Sequence, residues 1–387
     1  MIERLAWLGL AVVLLAYFGA KILGAGDTID FKYIWLAGEL WSEGVNPYTE
    51  VYVARGEEAF VGLNPPTFWV YPPNWWPIAT GSAVLSYETA GLLWRILSVV
   101  CLFLGCFVIT KSLPNLPFWV HIAFWGVAAT MSATAITLSL GQTSMVVFLG
   151  ICLFAAAMLR ENRAMMTAGL ILLALKPTLG LVMAAALFPT RFWWPALLAA
   201  GAVTLALAVP ALLQHGVAEV MGNMLARLKE YGQVDVNAPP EMTGLRHLAD
   251  RFAGIELGTF TCLGMGLVAS VLVGLLLARR TDAPGLAAGL ALLIVVASFF
   301  VPMHTYDLIF VALVLILAAR LPLVVYAACG LGTLVIWRAN NFEGLTALTD
   351  PATIYFAGSL LSSLALAGLL LLLVIFAPIV RMTREQH

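Results

Sequence analysis

Residues 30–48 read DFKYIWLAGELWSEGVNPY, and residues 64–77 read NPPTFWVYPPNWWP. With the segment between them they form the longest polar and aromatic interruption in the first half of a very apolar chain. In and just before it, Asp27, Asp30, Glu39, Glu43, Glu50, Glu57 and Glu58 stand against Lys32 and Arg55. Trp35, Trp41, Trp69, Trp75 and Trp76 all fall inside it. A loop that merely connects two spans needs no such aromatic surface. Tryptophan and tyrosine favour the membrane–water boundary, where one end of the ring is wet and the other apolar. The stretch therefore reads as a folded lid on one membrane face, with an acidic residue near its start.

Composition sets the surroundings of this lid. The chain has 387 residues, 62% hydrophobic and 11% charged, against about 25% charged in a globular domain. Apolar runs at 5–25, 87–110, 118–140, 143–159, 195–213, 257–278, 284–301, 305–319, 321–337 and 352–380 approach or exceed the ~20 residues that cross a hydrocarbon core. The N-terminal run continues too far for a signal peptide and reads as the first span. These runs predict an all-α polytopic integral membrane protein with about 11–12 transmembrane or half-spanning helices. The net charge of −1 says nothing about nucleic acid, no basic block suggests it, and no nucleic-acid partner is expected. Cys101, Cys106, Cys152, Cys262 and Cys329 lie in or beside apolar runs, without metal-ligand spacing, and read as small buried residues.

Two pieces, 164–175 and 178–190, are too short to cross alone. They predict a hairpin whose tip is Lys176-Pro177, where proline breaks the helix. Orientation follows from the cations of the short connections. Arg4, Lys111, Arg160, Arg163, Arg191, Arg279, Arg280, Arg320, Arg381 and Arg384 collect on one side, which is expected to be cytoplasmic. The loops 26–86, 214–256 and 338–351 then lie outside, as do the Gly141-Gln142-Thr143 turn and the Pro302–Asp307 turn. No internal repeat or low-complexity linker divides the chain, so 1–387 reads as one membrane domain.

Several polar residues admit two readings. Apolar positions between Phe31 and Glu43 predict an amphipathic helix able to lie in the interface. Asp30 is either its N-cap, worth about 1 kcal/mol, or a general base at the membrane surface. Lys176 either snorkels to the outer surface or faces an anionic partner such as a lipid phosphate. Gln142 closes a tight turn or binds a ligand. His304 and Asp307 flank Tyr306, but no second histidine stands at ligand spacing, so no metal site is expected there. Arg338 begins an outer loop and is a solvated residue by default.

Asp30 after the first span, Tyr33, Gly44, Pro47-Tyr48 and Tyr71-Pro72-Pro73 together resemble the opening of glycosyltransferase family 87. The resemblance continues through Gly141-Gln142, the Gly169…Leu175-Lys176-Pro177 run and Pro302…Tyr306-Asp307. Ser144 departs from the pattern, in which a polar amide is expected after the Gly-Gln pair. The family is similar to mycobacterial polyprenol-phosphate-mannose-dependent α-mannosyltransferases of the GT-C membrane fold. The resemblance implies inverting transfer of a sugar, mannose or another hexose or pentose, from a polyprenyl-phosphate donor. The acceptor would be a lipid-linked or cell-envelope glycan, reached on the extracytoplasmic face of the plasma membrane, a bacterial inner membrane. It makes Asp30 the expected base, with Asp27 as fallback. Lys176, Tyr33, Tyr71, Gln142, His304 and Arg338 become the donor-binding candidates, with membrane lipids as surroundings and no cofactor or metal required. Two other classes share the apolar spans: a flippase for a lipid-linked sugar, and a non-catalytic cell-envelope assembly partner. Neither needs a large one-sided lid with an essential acid.

Overall fold

A computed structural model describes residues 2–24, 28–61, 66–234, 237–280, 282–339 and 354–377. Apolar length makes α1 (Ile2–Gly24) the first long helix. The lid follows with α2 (Phe31–Ser42), α3 (Val51–Ala59) and α4 (Trp76–Ala83). α5 (Tyr87–Ser112), α6 (Phe118–Thr130), α7 (Ser132–Leu140) and α8 (Ser144–Arg160) come next. Then α9 (Arg163–Leu173), α10 (Pro177–Ala185) and α11 (Trp194–His215) complete the middle of the chain. α12 (Val217–Tyr231) and the short α13 (Leu245–Leu248) belong to the second long loop. α14 (Thr259–Ala278), α15 (Ala283–Phe300), α16 (Leu313–Leu317), α17 (Leu323–Arg338) and α18 (Ile354–Phe376) finish the bundle. Among the described residues, six helices are long and apolar enough to span, and a seventh span arises if α6 and α7, bent by 42°, count as one. Of the shorter apolar helices, Ser144–Arg160 and Thr305–Leu317 are largely buried. The protein is an all-α polytopic membrane protein, as the apolar runs predict.

The bundle has a basic end and a site end. At the basic end Arg160 donates to the Lys111 carbonyl, Arg163 to that of Phe192 at 3.0 Å, and Arg280 to that of Ala377 at 3.0 Å. α8 runs from Ser144 at the opposite end down to Arg160, and α9 climbs back from Arg163. At 1.5 Å per residue the 11 residues of α9 rise only about 16 Å. The chain then breaks at Lys176, and α10 descends. Pro177, which has no N–H to donate, starts α10. The two arms lie so close that a Cβ on Gly180 would sit 2.6 Å from the Leu173 carbonyl oxygen. The half-spanning hairpin with Lys176 at its tip is thus the observed arrangement.

The lid differs from the expectation of an interfacial aromatic belt. Trp41, Trp69 and Trp75 are fully buried, together with Tyr48, Tyr52 and Phe31, in a core of the lid's own. α2 buries Phe31, Lys32, Ile34, Leu36, Ala37, Gly38, Leu40 and Trp41, so packed residues cover most of its surface. Edge-to-face pairs such as Trp41 with Trp69, centroids 5.5 Å apart, add orientation to this burial. α12 clamps the lid from the second loop: Arg227 donates to the Tyr48 carbonyl at 3.1 Å and pairs with Glu50 at 2.5 Å. Asn64 and Pro65 of the quoted stretch lie outside the described residues.

Candidate active site

The site is built where three connections meet. Gly141 ends α7 with φ of 73°, a left-handed conformation that glycine adopts at little cost. A Cβ there would stand 2.9 Å from that of Phe31, so the turn also needs glycine to let the lid approach. The turn is pinned from both sides. Trp94 donates its indole N–H to the Gly141 carbonyl at 2.8 Å, and the Asp30 peptide N–H donates to the Leu140 carbonyl at 2.8 Å. Asp30 is thereby fixed beside Gln142, whose amide Nε2 donates to Asp30 Oδ2 at 2.6 Å and lies 3.4 Å from the Tyr306 hydroxyl.

Asp30 precedes α2 in the N-cap position, but its side chain makes no capping bond. Its carboxylate instead faces the site. Burial pushes it up to about 6; the Gln142 bond holds it down, and the nearby charge of Asp307 adds to the rise. A carboxylate poised there is ionised at neutral pH yet basic enough to take a proton.

The second group lies just beside the first, two residues on from Gln142 and one on from Tyr306. Ser144, at the start of α8, donates to Asp307 Oδ1 at 2.6 Å. Lys176 Nζ lies 2.5 Å from that oxygen. Asp307 is buried, whereas the Lys176 side chain keeps a quarter of its surface exposed. The lid reaches this point through Trp75, whose indole donates to the Leu175 carbonyl at 3.0 Å, and Asn74, which donates to that of Ala174 at 3.3 Å. Tyr71, just before, is placed by the Tyr48 hydroxyl, which donates to its carbonyl at 2.6 Å.

Tyrosines surround the two carboxylates. Tyr71 and Tyr231 both feel the charges of Asp30 and Asp307, and Tyr33 acts on both of them. Burial keeps the Tyr71 hydroxyl well above its usual range and pushes that of Tyr231 up to about 12, so both remain protonated donors. His304 stacks on Tyr306 with centroids 5.0 Å apart. Burial holds its imidazole below the ordinary range, a tendency that Lys176 reinforces and Asp307 opposes. His304 is therefore mostly neutral at pH 7, and Lys176 is the cation of this group. The second loop fixes the histidine's segment through Thr243, whose N–H donates to the Met303 carbonyl at 2.7 Å.

Of the residues singled out in the sequence, Asp30, Gln142, Lys176, His304, Tyr71 and Tyr33 come together here. Arg338 stacks over Trp337 at 4.2 Å and acts on Tyr17 of α1, so its described contacts lie on the α1 side. Asp27 lies outside the described residues. Sequence reasoning did not assign Tyr231 or Asp307 to the site. Tyr231 carries no local signal, while Asp307 stood in the quoted Tyr306-Asp307 pair without a role.

The family model for glycosyltransferase family 87 matches residues 69–305, well over half of the chain. The chain belongs to glycosyltransferase family 87. It is a membrane glycosyltransferase, and such an enzyme uses a sugar donor and an acceptor. No curated protein and no solved structure matches it. The match includes Tyr71, Gln142, Ser144, Lys176, Tyr231 and His304, whereas Asp307 lies just beyond its end and Asp30 well before its start.

Proposed function

We propose that this glycosyltransferase takes its sugar from a polyprenyl-monophosphate carrier and passes it to a membrane-lipid or cell-envelope glycan, with inversion. The observation that carries the reading is an apolar groove of about 730 Å³ lined by Ala174 and Pro177, on either side of Lys176 in the chain. The lid's Pro72 and Pro73, the tips and arms of α9 and α10, and a leucine- and alanine-bearing face of α11 line it. Asn74 and Thr204 are the polar side chains in its lining, and Ala174 and Pro177 bracket Lys176 at its head. An apolar chain with one anionic end fits such a groove, because the tail removes surface from water while the phosphate meets the ammonium.

In the proposed reaction the acceptor hydroxyl oxygen attacks the anomeric carbon as the bond from that carbon to the phosphate oxygen breaks. The bonding pair leaves with the phosphate, where Lys176 stabilises the added charge. Asp30 takes the hydroxyl proton. The distribution of Lys and Arg favours an extracytoplasmic site in the plasma membrane, with both termini cytoplasmic.

The test supplies the purified protein with a radiolabelled polyprenyl-phosphate sugar or the matching sugar nucleotide, in the presence of envelope lipid extract. Release of polyprenyl phosphate with label in the acceptor is the expected result. Use of the sugar nucleotide alone would overturn the reading.

A further inference from the structure

Asp307 belongs to none of the steps just described, yet it is the point to which the site's connections converge. Its Oδ1 joins the first residue of α8, through Ser144, to the break between α9 and α10, through Lys176. It is 2% exposed and stands at the start of the turn of helix that leads into α16. A half-buried lysine on a helix break has four rotatable bonds and no geometry of its own. A buried carboxylate held by a second donor gives it one.

We propose that Asp307 is the positioning residue for donor phosphate: it fixes the Lys176 ammonium at the head of the groove without leaving the site. An ammonium has three protons to donate, and the Asp307 bond uses one. The others are available to a phosphate, because the lysine side chain keeps a quarter of its surface exposed. Ser144 matters because its bond keeps the carboxylate from following the ammonium outward. The inference rests on the polyprenyl-phosphate reading given above.

The experiment measures binding of a synthetic polyprenyl monophosphate to the full chain in nanodiscs, by quenching of tryptophan fluorescence, for wild type, D307N, K176M and the double variant. Thermal unfolding checks that each is folded. D307N should bind roughly tenfold or more weakly, the size of a lost charge-assisted contact. In transfer assays its donor KM should rise while kcat at saturating donor changes less. K176M and K176M/D307N should bind equally, because Asp307 acts only through the lysine. That comparison decides the matter even if D307N alone fails to fold, provided K176M is folded; in it Asp307 keeps its Ser144 bond. Equal binding by folded D307N and wild type would overturn the proposal. So would tighter binding by D307N, which would make Asp307 a competitor of the phosphate. A difference between K176M and the double variant would overturn it too. If the wild type itself does not bind polyprenyl phosphate, the functional reading fails, and this inference with it.

Discussion

Gln142 donates to Asp30 Oδ2 at 2.6 Å across 112 residues of sequence. The bond holds one carboxylate oxygen in place, and the carboxylate makes no cap to α2. Asp30→Asn should therefore leave the helix intact, since no capping bond is lost. Asparagine keeps the size of the side chain and an oxygen for Gln142, but it cannot accept the acceptor's proton. Transfer should fall roughly 10²-fold or more, with polyprenyl phosphate still bound. A variant that keeps most of its transfer rate would remove Asp30 from the mechanism.

The pH dependence follows from burial. With Asp30 pushed up to about 6, its basic form is lost as pH falls through that value. Transfer rate should climb from pH 5 to 7 with a midpoint near 6 and then level off. Stability runs the other way. A carboxyl raised in the fold above its unfolded value stabilises fully when protonated, below about 4, and that contribution is lost as pH rises through about 6. Asp30→Asn should thus melt at or above the wild-type temperature at pH 7.5. A clear loss of stability there would show that the ionised carboxylate has structural partners the site does not reveal.

Gln142→Leu removes the bond that holds Asp30 down. The midpoint of the rate profile should then move to higher pH, with the rate near neutrality reduced and that at pH 8.5 closer to wild type. An unshifted midpoint would mean that Gln142 serves the turn alone.

The spans were legible because the bilayer fixes how much apolar sequence a helix needs. The Lys176-Pro177 break was legible because proline cannot donate. Asp30 was singled out from its place at the end of a span together with the family resemblance. The partnership of Ser144, Lys176 and Asp307 was hidden, because contacts across 163 residues leave no mark on local pattern. The lid tryptophans were misjudged for a related reason: composition alone cannot separate an interfacial ring from a core ring, and Trp41, Trp69 and Trp75 are core. Tyr231 ends an ordinary amphipathic helix, and only the fold brings it to the two carboxylates.

The lid's grip on the hairpin tip is testable at Trp75. Trp75→Phe keeps a buried ring but loses the 3.0 Å bond to the Leu175 carbonyl, next to Lys176. The cost should be about 1 kcal/mol or somewhat more, since a buried carbonyl loses its donor. Donor KM should rise more than kcat falls, because the altered backbone carries the ammonium proposed to bind the donor phosphate. An unchanged melting temperature and unchanged KM would show that the lid needs no anchor there.

The groove makes the sharpest prediction. Gly201 lines it from α11, and a Cβ built there meets nothing within 4 Å. Gly201→Phe can therefore fold without moving the backbone. Its ring would project into space that an apolar chain needs, and phenylalanine in place of glycine also favours helix. Melting temperature should hold or rise. Transfer from a full-length polyprenyl-phosphate sugar should drop, while a donor analogue with a chain too short to reach Gly201 should be used as by wild type. Head and tail are separated by this comparison, because Lys176, Asp307 and Asp30 remain untouched in the variant. Equal loss with both donors would place the damage in the site rather than in the groove. Equal use of both would mean that the donor's tail lies elsewhere, and the groove would cease to support a lipid-linked donor.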